Sequence, residues 1–461
     1  MTQQTWSPVD GRLLVERPFA DPPTIDGALS RARRAAAGWR SVPLADRQAA
    51  VSRFVDALMV GRDDAARELT LQIGRPIRHT PGELRGFEDR ARTMIRLAEP
   101  GLAAIEVPPK AGFSRTIRRE PVGVVLVLSP WNYPYLTAVN AVVPALLAGN
   151  AVVLKHSDQT PLVAERFSAA WAAAGNDPDL LIHLHASHEA VAGMVADDRV
   201  DLVLFTGSVD GGRAVHRAAA GHFKAVGLEL GGKDPAYVRP DADLAYAAEN
   251  LADGAVFNAG QSCCAIERIY AHRSVFDDFV ARLVDAVHGW SLGDPTDPSV
   301  SIGPVVRARA AARIRAQVDD ALAGGAVDLV DPARYPADRP GTPYLRPSVL
   351  VGVTHRMEVM REETFGPIVG VMPVDSDDEA VALMNDSAYG LTASVWTSDE
   401  DRAWQIGDRL DTGTVFMNRC DALDPELAWV GVKHSGRGCT LSRVGYEALT
   451  RPKSFHFRTT L

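Results

Sequence analysis

The stretch Gly123-Val124-Val125-Leu126-Val127-Leu128-Ser129-Pro130-Trp131-Asn132-Tyr133-Pro134 sets the architecture. It opens with an unbroken apolar run rich in β-branched residues, then stops at a serine and a proline. An apolar run without polar alternation marks a strand buried on both faces, as in a parallel sheet covered by helices. The same grammar recurs downstream. Ala151-Val152-Val153-Leu154 stops at Lys155 and is followed by a helical pattern through Val163, Phe167 and Trp171. Leu180-Leu181-Ile182-His183-Leu184 reads as a third strand, and Asp201-Leu202-Val203-Leu204-Phe205 stops at Thr206-Gly207-Ser208 before a helix opened by Gly211-Gly212. Strands alternating with helices predict an α/β fold with a parallel sheet. Ligands of such sheets bind beyond the carboxyl ends of the strands. Asn132, Lys155 and Ser208 all follow strand ends.

Outward from this core, the first hundred or so residues read as largely helical. Val51, Phe54, Val55, Leu58 and Met59 share one face of a helix, with Arg53, Asp56 and Arg62 on the other. After Leu230 a second alternating segment runs to about Asn418. It holds a helix over 243–260, a helical region over 302–323, and short strands near 368–374 and 394–396. The stretch 331–347, dense in proline, aspartate and arginine, predicts a surface loop.

Composition narrows the function classes. The chain has 461 residues, a length that predicts two or three domains. Its net charge is −9, and this mild acidity argues against a broad nucleic-acid surface, which needs a concentrated basic patch. The N-terminal residues show no basic and apolar signal, and apolar runs such as Val122–Leu128 are far shorter than the roughly 20 residues that span a bilayer. No membrane role is expected. There are 4 cysteines, and their spacing gives neither a disulfide framework nor a zinc site. No metal is expected, and a reducing, cytosolic setting fits.

Four features could carry chemistry. Cys263 follows Asn258-Ala259-Gly260-Gln261-Ser262, where an apolar helix gives way to a glycine turn. A thiol nucleophile needs such partial exposure, although a lone cysteine is more often a small buried hydrophobe, as its neighbour Cys264 illustrates. Glu229, between two leucines and ahead of Gly231-Gly232-Lys233, is costly to bury. Desolvation raises a carboxylate towards the pKa of a useful general base; exposure or pairing with Lys233 is the commoner fate. Asn132 sits between two prolines that restrict its backbone and orient its amide as a donor; in isolation it reads as an ordinary turn asparagine. Phe205-Thr206-Gly207-Ser208 leads from a strand into a helix N-terminus, which favours phosphate. A glycine turn alone is a weak signal for it.

Together these pieces resemble one family. Pro130-Trp131-Asn132-Tyr133-Pro134, Phe205-Thr206-Gly207-Ser208, Glu229-Leu230-Gly231-Gly232-Lys233, Gly260-Gln261-Ser262-Cys263 and Glu362-Glu363-Thr364-Phe365-Gly366-Pro367 stand in the order of the aldehyde dehydrogenase superfamily. The resemblance covers nearly the whole chain, from Ala35-Ala36-Ala37-Gly38-Trp39 and Gly74-Arg75-Pro76 to Lys453-Ser454-Phe455. It implies NAD(P)-dependent oxidation of an aldehyde to the acid. Cys263 would be the nucleophile, Asn132 the oxyanion donor beside the Cys263 backbone N–H, and Glu229 the base that activates water to hydrolyse the thioester. Lys155 and Glu363 would hold ribose hydroxyls, Ser208 would contact the pyrophosphate, Phe365 would pack near the nicotinamide, and Trp131 and Gly207 would also contact the cofactor. By position, Tyr133, Leu136, Asn140, Phe257, Ser262, Cys264 and Trp429 would line the substrate tunnel, which Asn140 and Ser262 make too polar for long apolar aldehydes.

Two departures from the family pattern bear on specificity. The usual Lys-Pro-Ser-Glu is Lys155-His156-Ser157-Asp158 here. A carboxylate at Asp158 would accept from the adenine ribose and repel a 2′-phosphate, which favours NAD and leaves NADP open. The usual Pro-Phe-Gly-Gly is Ala428-Trp429-Val430-Gly431, so no substrate is carried over from the family. The resemblance also implies a Rossmann-like cofactor domain (1–102 and 122–230), an α/β catalytic domain (231–440) and a small β oligomerisation arm (103–121 and 441–461). A homodimer or homotetramer is expected, and a start close to the first motif, without a long leader, fits a cytoplasmic form. The rival readings are a CoA-acylating relative, which has little use for Glu229, an inactive binding or structural member, which need not keep Cys263, Asn132 and Glu229, and a cofactor-free thiol hydrolase, which needs no Lys155 or Gly207-Ser208.

Overall fold

The computed structural model describes residues 2–460; Met1 and Leu461, the ends of the expected segments, lie outside the described residues. At its centre stands the strand Val124–Ser129, every residue of which is buried. It pairs in parallel with Ala151–His156 on one side and Leu202–Thr206 on the other. Leu181–His183 extends the first side and Ala225–Glu229 the second. The chain thus starts in the middle of the sheet, builds outward one way, and crosses back to build the other. Where the direction reverses, the ends of Val124–Ser129 and Leu202–Thr206 leave a crevice, which is where α/β sheets take their ligands.

A second sheet orders Val327–Asp328, Ser348–Val351, Ile368–Val374, Ile266–His272, Asp234–Val238, Thr392–Trp396 and Thr414–Met417. All neighbours are parallel except the edge strand Val327–Asp328. Each sheet has its own core: one cluster gathers around Phe54, Phe87, Phe167 and Trp171, another around Ile266, Phe279 and Ile314. The two units are tied by Gly436–Arg437. The sequence reading puts this segment in the 231–440 unit, and here it pairs antiparallel with Leu228–Glu229 of the first sheet.

The amphipathic face read around Val51 lies in the helix Leu44–Val60, with Val51, Phe54, Val55 and Leu58 buried. Three expectations need correction. The N-terminal region opens on a hairpin, Thr2–Trp6 with Leu13–Pro18, ahead of its helices; Gly11, at φ 74°, supplies the left-handed turn residue. The helix predicted over 243–260 stops at Val256, because Asn258 and Ala259 adopt φ 54° each. The helix predicted over 302–323 starts only at Ala308. Ahead of it the Val306 N–H donates to Gln261 Oε1 at 2.7 Å and the Val305 N–H to the Pro343 carbonyl at 2.9 Å, bonds that hold this stretch extended.

The terminal strand Thr450–Arg458 pairs antiparallel with Phe113–Pro121 along its whole length. This ribbon stands outside both sheets, with Phe457 58% exposed. Among the described residues no helix is long and apolar enough to cross a membrane.

Candidate active site

The site starts from the left-handed turn after the helix Leu244–Val256. Asn258 Nδ2 donates to the Gln261 carbonyl at 3.1 Å, and Gln261 Nε2 returns a bond to the Asn258 carbonyl at 3.0 Å. Two residues on, Cys263 is half-buried, whereas Ser262 and Cys264 are buried. Contact with the Cys263 thiol and then burial raise the Cys264 thiol well above its ordinary pKa, so Cys264 stays a thiol. It is also engaged elsewhere: Cys264 Sγ and Ser262 Oγ both donate to Asp421 Oδ1, at 2.9 and 3.1 Å. The Cys263 backbone N–H meets no acceptor among the described residues. A β-carbon on Gly232 would collide with the Cys263 carbonyl, so this glycine allows the turn to close on the segment after Glu229.

Asn132 is buried beside that turn, with one amide hydrogen directed to the Gln261 carbonyl at 3.3 Å. Its backbone is held by a residue the sequence offered only as part of a motif. Arg75, fully buried, pairs with buried Glu83, donates to the Asn132 carbonyl, and donates through Nε to Asn258 Oδ1 at 2.9 Å. Its guanidinium also lies 4.3 Å from the centre of the Tyr133 ring. Glu83 in turn accepts from the Tyr135 N–H at 2.8 Å. One buried ion pair therefore fixes both the asparagine loop and the cysteine turn.

Glu229 ends the strand Ala225–Glu229, and its carboxylate accepts from Thr206 Oγ1 at 3.3 Å and from Thr440 Oγ1. Burial raises its pKa; the Thr440 and Thr206 hydroxyls and the charge of Arg90 oppose that shift. No hydrogen bond joins it to Cys263 among the described residues. Thr440 is positioned by Trp429, since the two backbones exchange N–H···O bonds of 2.8 and 3.0 Å. Trp429 itself is buried, and through these bonds it holds the partner of Glu229.

Between the carboxyl ends of the first sheet and the second unit lies a cleft of about 930 Å³, at the upper end of the usual size of cofactor pockets, ~300–1,000 Å³. Lys155, Ser157, Asp158, Trp131, Gly207 and Ser208 line it. Ser208 Oγ caps the helix Val209–Ala219 by accepting the Gly211 N–H at 3.2 Å, so the helix N-terminus opens into the cleft and offers its dipole to a phosphate. Lys155 Nζ pairs with Asp158 Oδ1 at 2.9 Å. Arg307, Arg309 and Arg313, which sequence reasoning did not single out, bring positive charge to the same wall. The donor set fits a dinucleotide. Glu363 accepts the Gly232 N–H at 3.1 Å, and burial pushes its pKa up to about 8. Buried Glu267, paired with Lys233, accepts the N–H groups of Thr364 and Phe365 and so shapes this loop. Phe365 adopts φ 54°, and its ring meets Trp131 edge-on at 5.6 Å.

The remaining tunnel candidates cluster on the helix Pro134–Leu147 and the cysteine turn. Asn140 is buried and lines a small cavity with Glu229 and Thr440. Leu136 is half-buried, and its carbonyl accepts from Arg90. Phe257 packs edge-on against His79 at 4.9 Å. Thr440, Arg90 and the Arg75–Glu83 pair went unread because their partners are remote in sequence.

Known proteins resemble this chain along nearly its whole length. The family model described as "Aldehyde dehydrogenase family" matches residues 1–455. A succinate-semialdehyde dehydrogenase [NADP(+)] of Deinococcus radiodurans is 34% identical over 97% of this chain and 93% of its own. A 3,6-anhydro-alpha-L-galactose dehydrogenase of Streptomyces coelicolor is 35% identical over 98% of this chain and 92% of its own. Among solved structures, a betaine aldehyde dehydrogenase of Staphylococcus aureus in complex with NAD+ superposes with a TM-score of 0.93 at 30% identity, covering 100% of this chain and 92% of that one.

Proposed function

The chain belongs to the aldehyde dehydrogenase family, oxidoreductases that convert an aldehyde to the carboxylic acid with NAD or NADP, and on that premise we propose that Cys263, Asn132 and Glu229 carry its chemistry. The observation that bears most weight is the joining of the Cys263 turn to Asn132 through Gln261, Asn258 and Arg75. In this reading the Cys263 thiolate adds to the carbonyl carbon. The Asn132 amide and the unengaged Cys263 N–H stabilise the oxyanion, and donors so placed are worth about 3–4 kcal/mol each. The bound dinucleotide supplies the hydride acceptor. Loss of hydride from the thiohemiacetal leaves a thioester on Cys263. Glu229, with its pKa raised by burial, takes a proton from the water that hydrolyses the thioester and regenerates the thiol. A carboxylate built into the site in this way favours hydrolysis over transfer to CoA.

Lys155, Ser157, Ser208 and Glu363 are the residues that would hold the dinucleotide, with Trp131 and Phe365 at its nicotinamide end. Asp158, the basis for expecting NAD, is paired with Lys155, and Arg307 and Arg309 stand on the same wall. A 2′-phosphate therefore meets positive charge there, and either dinucleotide fits. This accords with the NADP(+) of the succinate-semialdehyde relatives and with the NAD+ held by the Staphylococcus aureus enzyme. The division into a cofactor unit (1–102 and 122–230), a catalytic unit (231–440) and an arm (103–121 and 441–461) belongs to the same proposal. An isolated two-stranded ribbon is marginal in water, so the arm is read as pairing with a second copy in a dimer or tetramer. The free cysteines suit a cytoplasmic, reducing setting.

The test is transient kinetics with Glu229→Gln. An amide cannot take the proton, so one turnover of reduced cofactor should appear as a burst, followed by a slow steady state and an acyl adduct in the intact mass. Cys263→Ala should show neither burst nor adduct while still binding cofactor, and Cys264→Ala should retain most activity. Absence of a burst in Glu229→Gln would place the carboxylate before acylation and end its assignment to hydrolysis.

A further inference from the structure

The helix Thr80–Leu102 carries a charge that the reaction as described does not use. Arg90 is only 9% exposed. Other buried cations in this protein are fully engaged: Arg75 pairs with Glu83, Lys233 pairs with Glu267, and Arg268 distributes its donors over Lys233 O, Tyr270 Oη, Leu383 O and Met384 O. Arg90 differs. One of its nitrogens, Nη1, donates to the Leu136 carbonyl at 3.0 Å and to Asn140 Oδ1 at 3.3 Å. Nε and Nη2 reach no acceptor among the described residues, yet they are not sealed within the protein, and no carboxylate forms an ion pair with the group. A guanidinium stays charged in any protein environment. A buried charge without a partner is a heavy liability, and folds keep such groups paired.

The surroundings of Arg90 indicate the missing partner. Its bonded neighbours Leu136 and Asn140 belong to the helix beside the cysteine turn, and Glu229, Glu83 and the two thiols are near enough for their charges to act on it, so it stands beside the reacting centre. Asn140, whose Oδ1 is taken by Arg90, keeps its Nδ2 without an acceptor and lines the cavity that also contains Glu229 and Thr440. The fork and the amide together form a donor set for a planar anion, the geometry in which arginine binds carboxylates through two parallel bonds. We propose that Arg90, with Asn140, receives the carboxylate at the far end of the substrate, so that the enzyme takes ω-oxo acids in preference to neutral aldehydes of the same length. This rests on the reading of Cys263 as the nucleophile. Asp421, the acidic group at the Cys264 end, opposes it little below pH 7, because its Oδ1 is already occupied by Ser262 and Cys264 and burial pushes its pKa up to about 7.

The experiment compares length-matched substrates on the full chain with saturating cofactor: 4-oxobutanoate against butanal, 5-oxopentanoate against pentanal, and betaine aldehyde as a cation. The wild type should favour one oxo acid over its neutral match by about 100-fold in kcat/KM, the order of effect expected for one buried charge pair. Arg90→Met should erase that preference, lowering kcat/KM for the oxo acid about 100-fold more than for its neutral match and chiefly through KM, over any common loss from removing the charge near Glu229; Arg90→Lys should fall between. Equal losses on every substrate would make Arg90 a structural or electrostatic support of Cys263 and Glu229, and would overturn the proposal. The wild type provides a check that needs no folded variant: succinate or glutarate should compete with butanal, and the corresponding diols should not. Failure of the dicarboxylates to compete overturns the proposal as well. A protein active on neutral aldehydes but indifferent to a carboxylate refutes Arg90 alone. A protein inactive on every aldehyde refutes the reaction and the assignment together.

Discussion

Replacing Arg75 by methionine removes four contacts at once: the pair with Glu83, the donors to the Asn132 carbonyl and Asn258 Oδ1, and the cation against Tyr133. Methionine fills much of the volume and supplies no donor. Buried Glu83 then has no cation, and breaking a buried pair from one side costs about 3–5 kcal/mol of stability. Catalysis should suffer separately, because the Asn132 loop and the Asn258 turn lose their shared tie. If Arg75 acts by positioning Asn132, its effect on kcat cannot exceed that of deleting the Asn132 donor, about 10²–10³-fold. The assay is a double-mutant cycle in kcat with Arg75→Met, Asn132→Ala and the double variant, with thermal unfolding of each. Arg75→Met should lower kcat 30-fold or more (about 2 kcal/mol, at ~1.4 kcal/mol per tenfold), and the double variant should be no slower than Asn132→Ala. Glu83→Gln alongside Arg75→Met should recover part of the stability and none of the rate. If the two losses multiply, Arg75 does not work through Asn132 and the reasoning fails.

The arginines beside Asp158 make a prediction about the cofactor. Arg309→Gln, an exposed position, should lower kcat/KM for NADP about tenfold while changing NAD little; equal effects on both would remove Arg309 from 2′-phosphate recognition. The Asp421 carboxyl, at about 7 through burial, should make substrate binding pH-dependent. It is neutral below that pH and anionic above it, so KM for an oxo acid should rise as pH passes through 7 while KM for a neutral aldehyde stays level. Asp421→Asn should flatten the difference, and a wild-type KM for the oxo acid that stays level from pH 6 to 8 would refute this role.

Whatever depends on near neighbours along the chain could be read from the residues alone. The apolar run Val124–Leu128 ends at Pro130, Leu202–Phe205 ends at a glycine, and Ser208 stands where it caps the following helix, so strand ends and the helix that opens into the cleft were legible. The cysteine turn was legible too, because Gly260 and the residues around it carry a family pattern. The left-handed Asn258 and Ala259 were not, since neither residue demands that conformation; it is imposed by the packing of Gly260 on Gly366 and by bonds to Gln261. The N-terminal hairpin was missed for a related reason. Only alternate residues of Thr2–Trp6 are buried, and the residues buried there are Gln3 and Thr5, which give no apolar signal. It took the assembled fold to bring Thr440 to Glu229, to join Glu83 to Asn132 through Arg75, and to set Arg90 against Leu136 and Asn140. Periodicity and turn chemistry are written in adjacent residues. The partner of a buried charge is chosen by which helices and sheet ends meet, and the chain carries no local mark of that choice.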